Sequence, residues 1–375
     1  MAKLTMTAAV CDKPGPGDVL DLRKVQVDDP HEMEVRVKIA TTAICRSDIH
    51  YLRDVWVHPK PVILGHEACG IIESVGPGVP KSRIGEKVVL TFTPSCGHCK
   101  FCVVGRSVLC EEVARAAAAG TMWDDTTRFF ELDGRPIHHL SLVSSFCDYT
   151  VVPHNGAITI EKETSDEQAC LLGCGAMAGI GAALNTAQIR PGESVAVFGC
   201  GGVGLSVVQG AKLCNALPIV AVDMRAEKEA EAKHFGATHF VDASQGDPVA
   251  KVREITGGGA DFVFEATGEV EIAELCYKAT CRAGTTVLIG QPTENAMAGF
   301  PPYWIAQDEN KVIGSSYGST RPMLDFPKVL RLVKHGLLDL ESLISDVWPL
   351  SRINEAIRLV ETGTVKRMVL RPEAA

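Results

Sequence analysis

The sequence predicts an α/β protein in which a doubly wound parallel sheet is inserted into a β-barrel domain, and three observations carry that expectation. From Ser194 onward, apolar strands alternate with helical stretches, the pattern of a parallel sheet covered on both faces. The turn Gly199-Cys-Gly-Gly-Val-Gly204 follows one such strand directly and opens a helix. Ahead of about residue 175 the grammar differs, with short β-like runs separated by Gly and Pro. A length of 375 residues exceeds what one ordinary core serves, which agrees with two domains. The expected boundaries are 1–176 and 317–375 for the barrel domain, with a cysteine lobe at about 95–112, and 177–316 for the inserted sheet.

The elements follow in order. Leu20 to Val27 and Glu34 to Ile39 alternate as strands, and so do Ala68 to Val75, Lys87 to Thr91 and Phe146 to Val152. Thr121 to Leu140 reads as a polar loop. In the inserted part, Val195 to Phe198, Pro218 to Val222, Val241, Phe262 to Glu265 and Thr286 to Ile289 supply strands. Helices are expected from the glycine turn through Ala211 and from Ala226 to Phe235. Leu324 to His335 and Ile353 to Thr362 read as helices leading to a last strand, Lys366 to Leu370.

Two motifs point to ligands. Cys96, Cys99, Cys102 and Cys110 stand close enough in sequence for one loop to wrap a tetrahedral Zn²⁺ with four thiolates. Such a closed site leaves no position for a substrate, so its role is structural. In the glycine turn, Gly199 permits the tight bend, Gly201 lets backbone approach a pyrophosphate, and Gly204 lets the helix pack on the strand. Gly202 and Val203 open the helix whose N-terminus faces the phosphates. Asp223 closes the next strand, where an acid meets the adenosine ribose and repels a 2′-phosphate. NAD is therefore expected over NADP, with Arg225 as the neighbour that softens the choice.

Composition narrows the partners. A net charge of −9 with no long basic run argues against nucleic acid and anionic membranes. The uncharged stretch Gln168 to Ile189 is rich in Gly and Ala and lacks the bulky residues of a membrane span, so it reads as a buried connection. No apolar core follows Met1-Ala-Lys-Leu-Thr5, and a cytoplasmic location is expected. There, fourteen cysteines serve as metal ligands and buried thiols rather than as disulfides.

Gly65-His66-Glu67 and Cys45-Arg46-Ser47-Asp48-Ile49-His50, taken with the cysteine lobe and the glycine turn, resemble the zinc-dependent medium-chain alcohol dehydrogenases. The resemblance runs nearly end to end. Gly120-Thr-Met-Trp-Asp-Asp, Gly134-Arg-Pro-Ile-His-His and Leu171-Leu-Gly-Cys174-Gly are similar to the liver-type branch. It implies a Rossmann domain inserted in a GroES-like catalytic domain, with two zinc ions and NAD as cofactors. It also implies that Cys45, His66 and Cys174 hold a catalytic zinc, with Cys170 as the rival to Cys174. Ser47 would bond the substrate oxygen and His50 relay its proton, while Asp48 and Glu67 would stand behind the ligands.

By the same resemblance, Arg46 and Arg367 match partners of the cofactor pyrophosphate, and Lys228 a residue near the ribose. Trp56, Phe92 and Leu140 match the alcohol pocket. Gln291 would meet the substrate or the nicotinamide amide, and Ala178 replaces a common threonine behind the nicotinamide. The implied reaction is reversible oxidation of primary alcohols, aromatic or medium-chain, and of secondary alcohols, by hydride transfer from a zinc-held alkoxide. A homodimer is expected through Lys311 to Gly318, with a tetramer as the other assembly.

Two other functions compete. A dehydrogenase of S-(hydroxymethyl)thiol adducts would be expected to carry His-Thr where this chain has Arg46-Ser47, and its charged adduct could use Arg115, one residue out of register. A non-catalytic binding member of the fold would have lost zinc ligands, whereas every expected ligand is present.

Overall fold

The computed structural model describes residues 3–373, so the outermost positions of the expected barrel domain, 1, 2, 374 and 375, lie outside the described residues. The chain divides into two compact units. The first comprises Met1–Cys174, Arg321–Lys334 and Leu340–Ala375, and the second Gly175–Thr320 with His335–Asp339.

In the first unit, Leu4–Cys11 pairs antiparallel with Leu20–Val27 along its whole length. Phe129–Phe130, Pro136–His139 and Val62–Ile63 close these strands into a five-stranded barrel. Val10, Val25, Ile63, Phe129 and Phe146 fill it. A second sheet is built around Glu34–Ile44, whose neighbours are Glu67–Val75, Arg367–Arg371 and Tyr149–Pro153. Apart from Lys38, that central strand is buried or half-buried on both faces, and the Thr41 and Thr42 hydroxyls find partners inside.

Thr121 to Leu140 is not the polar loop that its composition suggests. It supplies two of the barrel strands, and two of its charged residues, Arg128 and Glu131, are buried. The Arg128 guanidinium is fully buried and donates to both carboxylate oxygens of Glu34, at 2.8 and 2.7 Å, and to Asp124 at 2.8 Å. Two short strands show too little alternation to be read, and an ion pair can carry polar residues indoors.

The second unit is a six-stranded parallel sheet in the order His239–Asp242, Ile219–Asp223, Val195–Phe198, Ala260–Glu265, Thr280–Leu288, Lys311–Gly314. Short right-handed crossover helices such as Gly202–Leu213 and Val270–Ala279 connect its strands, as βαβ units require. This is the doubly wound sheet expected from the strand-helix alternation.

The division differs from the expected boundaries by a few residues, for local reasons. Helix Gly175–Gly181 packs on Gly202–Leu213, so the switch falls after Cys174 and not at 176. The turn at Tyr317–Ser319 stays with the second unit, where Asn185 donates to the Gly318 carbonyl and Thr186 bonds Ser319. Residues 335–339 join it as well, because Gln209 and Asp339 exchange two hydrogen bonds at 3.0 and 2.7 Å. Among the described residues, no single helix is long and apolar enough to cross a membrane.

Candidate active site and metal centres

Cys45 follows the strand Glu34–Ile44 and caps the helix Arg46–Leu52. Asp48, in the first turn, closes that cap: its Oδ2 accepts from the Cys45 N–H at 2.9 Å. Its other oxygen accepts from the Gly65 N–H at 3.1 Å and lies 3.0 Å from His66 Nδ1. One fully buried carboxylate thus ties the helix start to the Gly65–Glu67 segment. With Nδ1 held by Asp48, His66 turns Nε2 towards the neighbouring thiols and the Ser47 hydroxyl.

Cys174 comes from a different part of the first unit, after the turn Leu171–Gly173. Gly173 makes this approach possible, since a Cβ there would fall 2.7 Å from the Glu67 Cα. One ligand atom from each of Cys45, His66, Glu67 and Cys174 lies within 4.8 Å of the others. Glu67, expected behind the ligands, therefore contributes an oxygen to the cluster itself. Cys170 stands apart, with its thiol on the Glu167 carbonyl.

The donor set suits a divalent cation. The Cys45 and Cys174 sulfurs are 4.0 Å apart, and their hydrogen bond lowers Cys45 and raises Cys174. Burial pushes the Glu67 carboxyl up to about 8, against the pull of Arg367. A buried and a half-buried thiol, an imidazole nitrogen and a desolvated carboxyl gathered within 4.8 Å fit Zn²⁺, which takes N, S and O donors at tetrahedral sites. Ser47 Oγ lies 3.1 Å from His66 Nε2, at the edge of this cluster, and Phe92 meets the His66 ring edge-on at 5.5 Å. His50 and Trp56 are half-buried, their rings 4.7 Å apart. Leu140, expected in the alcohol pocket, is 1% exposed and belongs to the barrel core.

The second cluster is Cys96, Cys99, Cys102 and Cys110, again with all four sulfurs within 4.8 Å. The one-turn helix Lys100–Val103 and the turn Ser107–Leu109 bring them together, and Val113, Ala116, Met122 and Leu142 pack behind. Backbone N–H groups of Cys102 and Glu111 lower the Cys99 thiol to about 6, whereas burial raises Cys110 to about 12. Four cysteines and no other donor make a closed zinc site.

In the second unit, Gly199 has φ +98°, and Gly204 leaves no room for a side chain: a Cβ would fall 1.7 Å from the Gly199 carbonyl oxygen. Gly201 caps the helix that begins with Gly202 and Val203, and the space where its Cβ would stand is open. That open cradle over a helix N-terminus fits a pyrophosphate. Asp223 accepts from the Cys200 and Arg225 N–H groups at 2.7 and 3.0 Å, which fixes its carboxylate at the strand end. Lys228 is buried and paired with Glu231 at 3.3 Å. Gln291 is exposed, with its backbone beside Gly268, and Ala178 is buried.

In the first unit, Arg46 is exposed at the helix start, and Arg367 is buried with Nη2 lacking a hydrogen-bond partner among the described residues. Sequence reasoning missed Glu265. Its buried carboxylate accepts from the Thr267 and Gly268 N–H groups and shapes the loop beside Gly199. The signal was available, because an acid at the carboxyl end of a parallel strand faces the ligand crevice.

Residues 31–162 match the alcohol dehydrogenase GroES-like domain, and residues 202–335 match the zinc-binding dehydrogenase domain. The S-(hydroxymethyl)glutathione dehydrogenase of Saccharomyces cerevisiae is 37% identical over 366 residues, covering 94% of this chain and 93% of that protein. This chain belongs to the zinc-dependent medium-chain alcohol dehydrogenases. Among solved structures, an alcohol dehydrogenase zinc-binding domain protein from Burkholderia ambifaria superposes with a TM-score of 0.95 at 32% identity, over the full length of both chains. The benzyl alcohol dehydrogenase of Acinetobacter calcoaceticus does so with a TM-score of 0.93 at 29% identity, over 99% of this chain and 100% of that one. The alcohol dehydrogenase described here is thus a zinc- and nicotinamide-dependent oxidoreductase with a GroES-like and a Rossmann domain.

Proposed function

We propose that this alcohol dehydrogenase interconverts primary alcohols and aldehydes with NAD, favouring aromatic and medium-chain alcohols over secondary ones. The observation that carries this reading is the convergence of Cys45, His66, Glu67 and Cys174 within 4.8 Å, with the Ser47 hydroxyl 3.1 Å from His66 Nε2. Zinc in such a site supplies Lewis acidity, and NAD supplies the hydride acceptor. The protein does the rest. Ser47 would orient the substrate hydroxyl and pass on a proton, releasing its own hydroxyl proton as it accepts the substrate's, and His50 would carry the released proton towards water. Asp48 holds His66 by Nδ1, so that Nε2 keeps its direction. Phe92, edge-on to His66, gives the site an apolar wall suited to an aromatic or alkyl substituent, in line with the similarity to benzyl alcohol dehydrogenase. Asp223 favours NAD by repelling a 2′-phosphate, and Gly199, Gly201 and Gly204 seat the pyrophosphate.

Oxidation of an S-(hydroxymethyl)thiol adduct is the second reading, favoured by the yeast relative. The fate of Arg115 weighs against it. That guanidinium is engaged by Glu112, Asp125 and the Trp123 carbonyl, so it is not held ready for an acidic adduct. Turnover of benzyl alcohol and hexanol with NAD is compared with turnover of formaldehyde in the presence and absence of glutathione. Strict glutathione dependence, with poor alcohol turnover, would reverse the order of the two readings.

The assembly we propose is a homodimer through the sheet edge. Lys311–Gly314 is the last strand, paired on one side only, and an open edge accepts a second copy of itself. A cytoplasmic setting suits its cysteines, all of them unbridged. Light scattering of the wild type and of Ile313→Glu tests the dimer, which the charge should dissociate.

A further inference from the structure

We infer that Trp56 is a positioning residue for His50, not merely a wall of the alcohol pocket. The two rings lie 4.7 Å apart, tilted by 40°. Their backbones are joined as well, because the His50 carbonyl accepts from the N–H groups of Val55 and Trp56 at 2.9 and 3.3 Å. His50 stands in the last turn of a seven-residue helix, and the loop that carries Trp56 follows that turn directly. The indole is itself anchored. Tyr51 meets it edge-on at 5.4 Å, and His58 meets Tyr51 edge-on at 5.4 Å. His58 is buried, with Nε2 2.8 Å from the His139 carbonyl in a barrel strand. A run of rings therefore connects the loop after the helix to the barrel and ends against the tilted His50 imidazole.

This placement matters because proton transfer depends on direction. When His50 takes the proton arriving from the substrate hydroxyl, an O–H bond breaks and an N–H bond forms; the imidazolium then gives that proton to water. Both partners must lie within hydrogen-bond reach of the ring nitrogens, and a ring free to turn about χ1 and χ2 spends part of its time out of reach. Trp56 fixes that rotation. The inference rests on the proposed relay role of His50, and the experiment separates the two.

Three variants and their combination are compared in alcohol oxidation at neutral pH. His50→Gln tests the relay itself and should lower kcat by about tenfold or more, whereas Trp56→Leu should lower it by about three- to tenfold with the alcohol KM within about twofold. Trp56→Phe, which keeps an aromatic face, should recover most of the loss. Adding Trp56→Leu to His50→Gln should cost nothing further, since the residue it positions is gone. A second readout needs no turnover. The imidazole in contact with the indole quenches its emission, so His50→Gln should brighten tryptophan fluorescence in the wild type but not in Trp56→Phe. If His50→Gln leaves kcat unchanged, the relay reading fails. If His50→Gln slows the enzyme while Trp56→Leu only raises KM, or if the two losses multiply, Trp56 is a pocket wall and the positioning inference is overturned.

Discussion

Asp48 and His66 are joined through Oδ1 and Nδ1 at 3.0 Å, and the same carboxylate accepts from the backbone N–H groups of Cys45 and Gly65. One buried acid thus sets the direction of an imidazole and the position of a thiol that belong to the same donor cluster. Replacing it with Asn keeps the shape and removes the charge. Asp48→Asn should weaken the catalytic zinc by about 10- to 100-fold, as loss of a hydrogen-bonding partner behind a histidine ligand does elsewhere. Zinc measured after mild chelation should fall from two ions to one per chain, the four-cysteine site keeping its own.

The lobe gives the opposite pattern. Cys102→Ser removes a ligand from a closed site whose packing is thin, with Val113, Ala116, Met122 and Leu142 behind it. Binding energy at such sites is folding energy, so the variant should lose one zinc and melt at a lower temperature. Calorimetry and zinc content on the same sample check both. An unchanged melting temperature would mean that the lobe folds without its metal.

Cofactor choice should turn on Asp223. Its carboxylate is held by two backbone N–H groups at the strand end, with Arg225 close in sequence. Asp223→Ser removes the charge that repels a 2′-phosphate and leaves the arginine in place. The ratio of kcat/KM for NADP to that for NAD should rise by about tenfold or more. No change in that ratio would place the discrimination elsewhere.

Stability should fall on mild acidification through His139. This histidine is fully buried, its Nε2 accepts from the Arg128 N–H at 3.0 Å, and its Nδ1 has no hydrogen-bond partner among the described residues. Burial first, and then the Arg128 guanidinium, hold its pKa down to about 3. An unfolded histidine titrates near 6.5, so between these values the unfolded chain binds the extra proton and the folded one does not. The contribution is complete above about pH 6.5 and is lost as pH falls towards 3, on the order of 5 kcal/mol in full. His139→Gln keeps an acceptor for Arg128 and abolishes the titration. Its melting temperature should fall less steeply than that of the wild type from about pH 6.5 to about pH 4.5.

Local signals carried much of the architecture into the sequence. The alternation after Ser194, the glycine turn and the closing Asp223 are features of a βαβ unit, whose parts are neighbours in the chain. The four-cysteine lobe was legible for the same reason, because one short loop contains its whole ligand set. Thr121 to Leu140 was misread because its polarity is cancelled by a partner far away, Glu34, which no local pattern reveals.

By itself, then, the sequence determined the inserted parallel sheet, the phosphate turn and the structural zinc lobe, since each is written over consecutive residues with a fixed spacing. It named Cys45, His66 and Cys174 only through likeness to a family. Tertiary structure alone decided that these three meet, that Glu67 joins them while Cys170 does not, and that Leu140 lies in the core. Their side chains come from a helix cap, a strand end and a turn distant in sequence, and converge because Glu34–Ile44 pairs with Glu67–Val75 and Gly173 allows close backbone approach. Periodicity describes which face a residue occupies; it does not say which distant segment that face will meet.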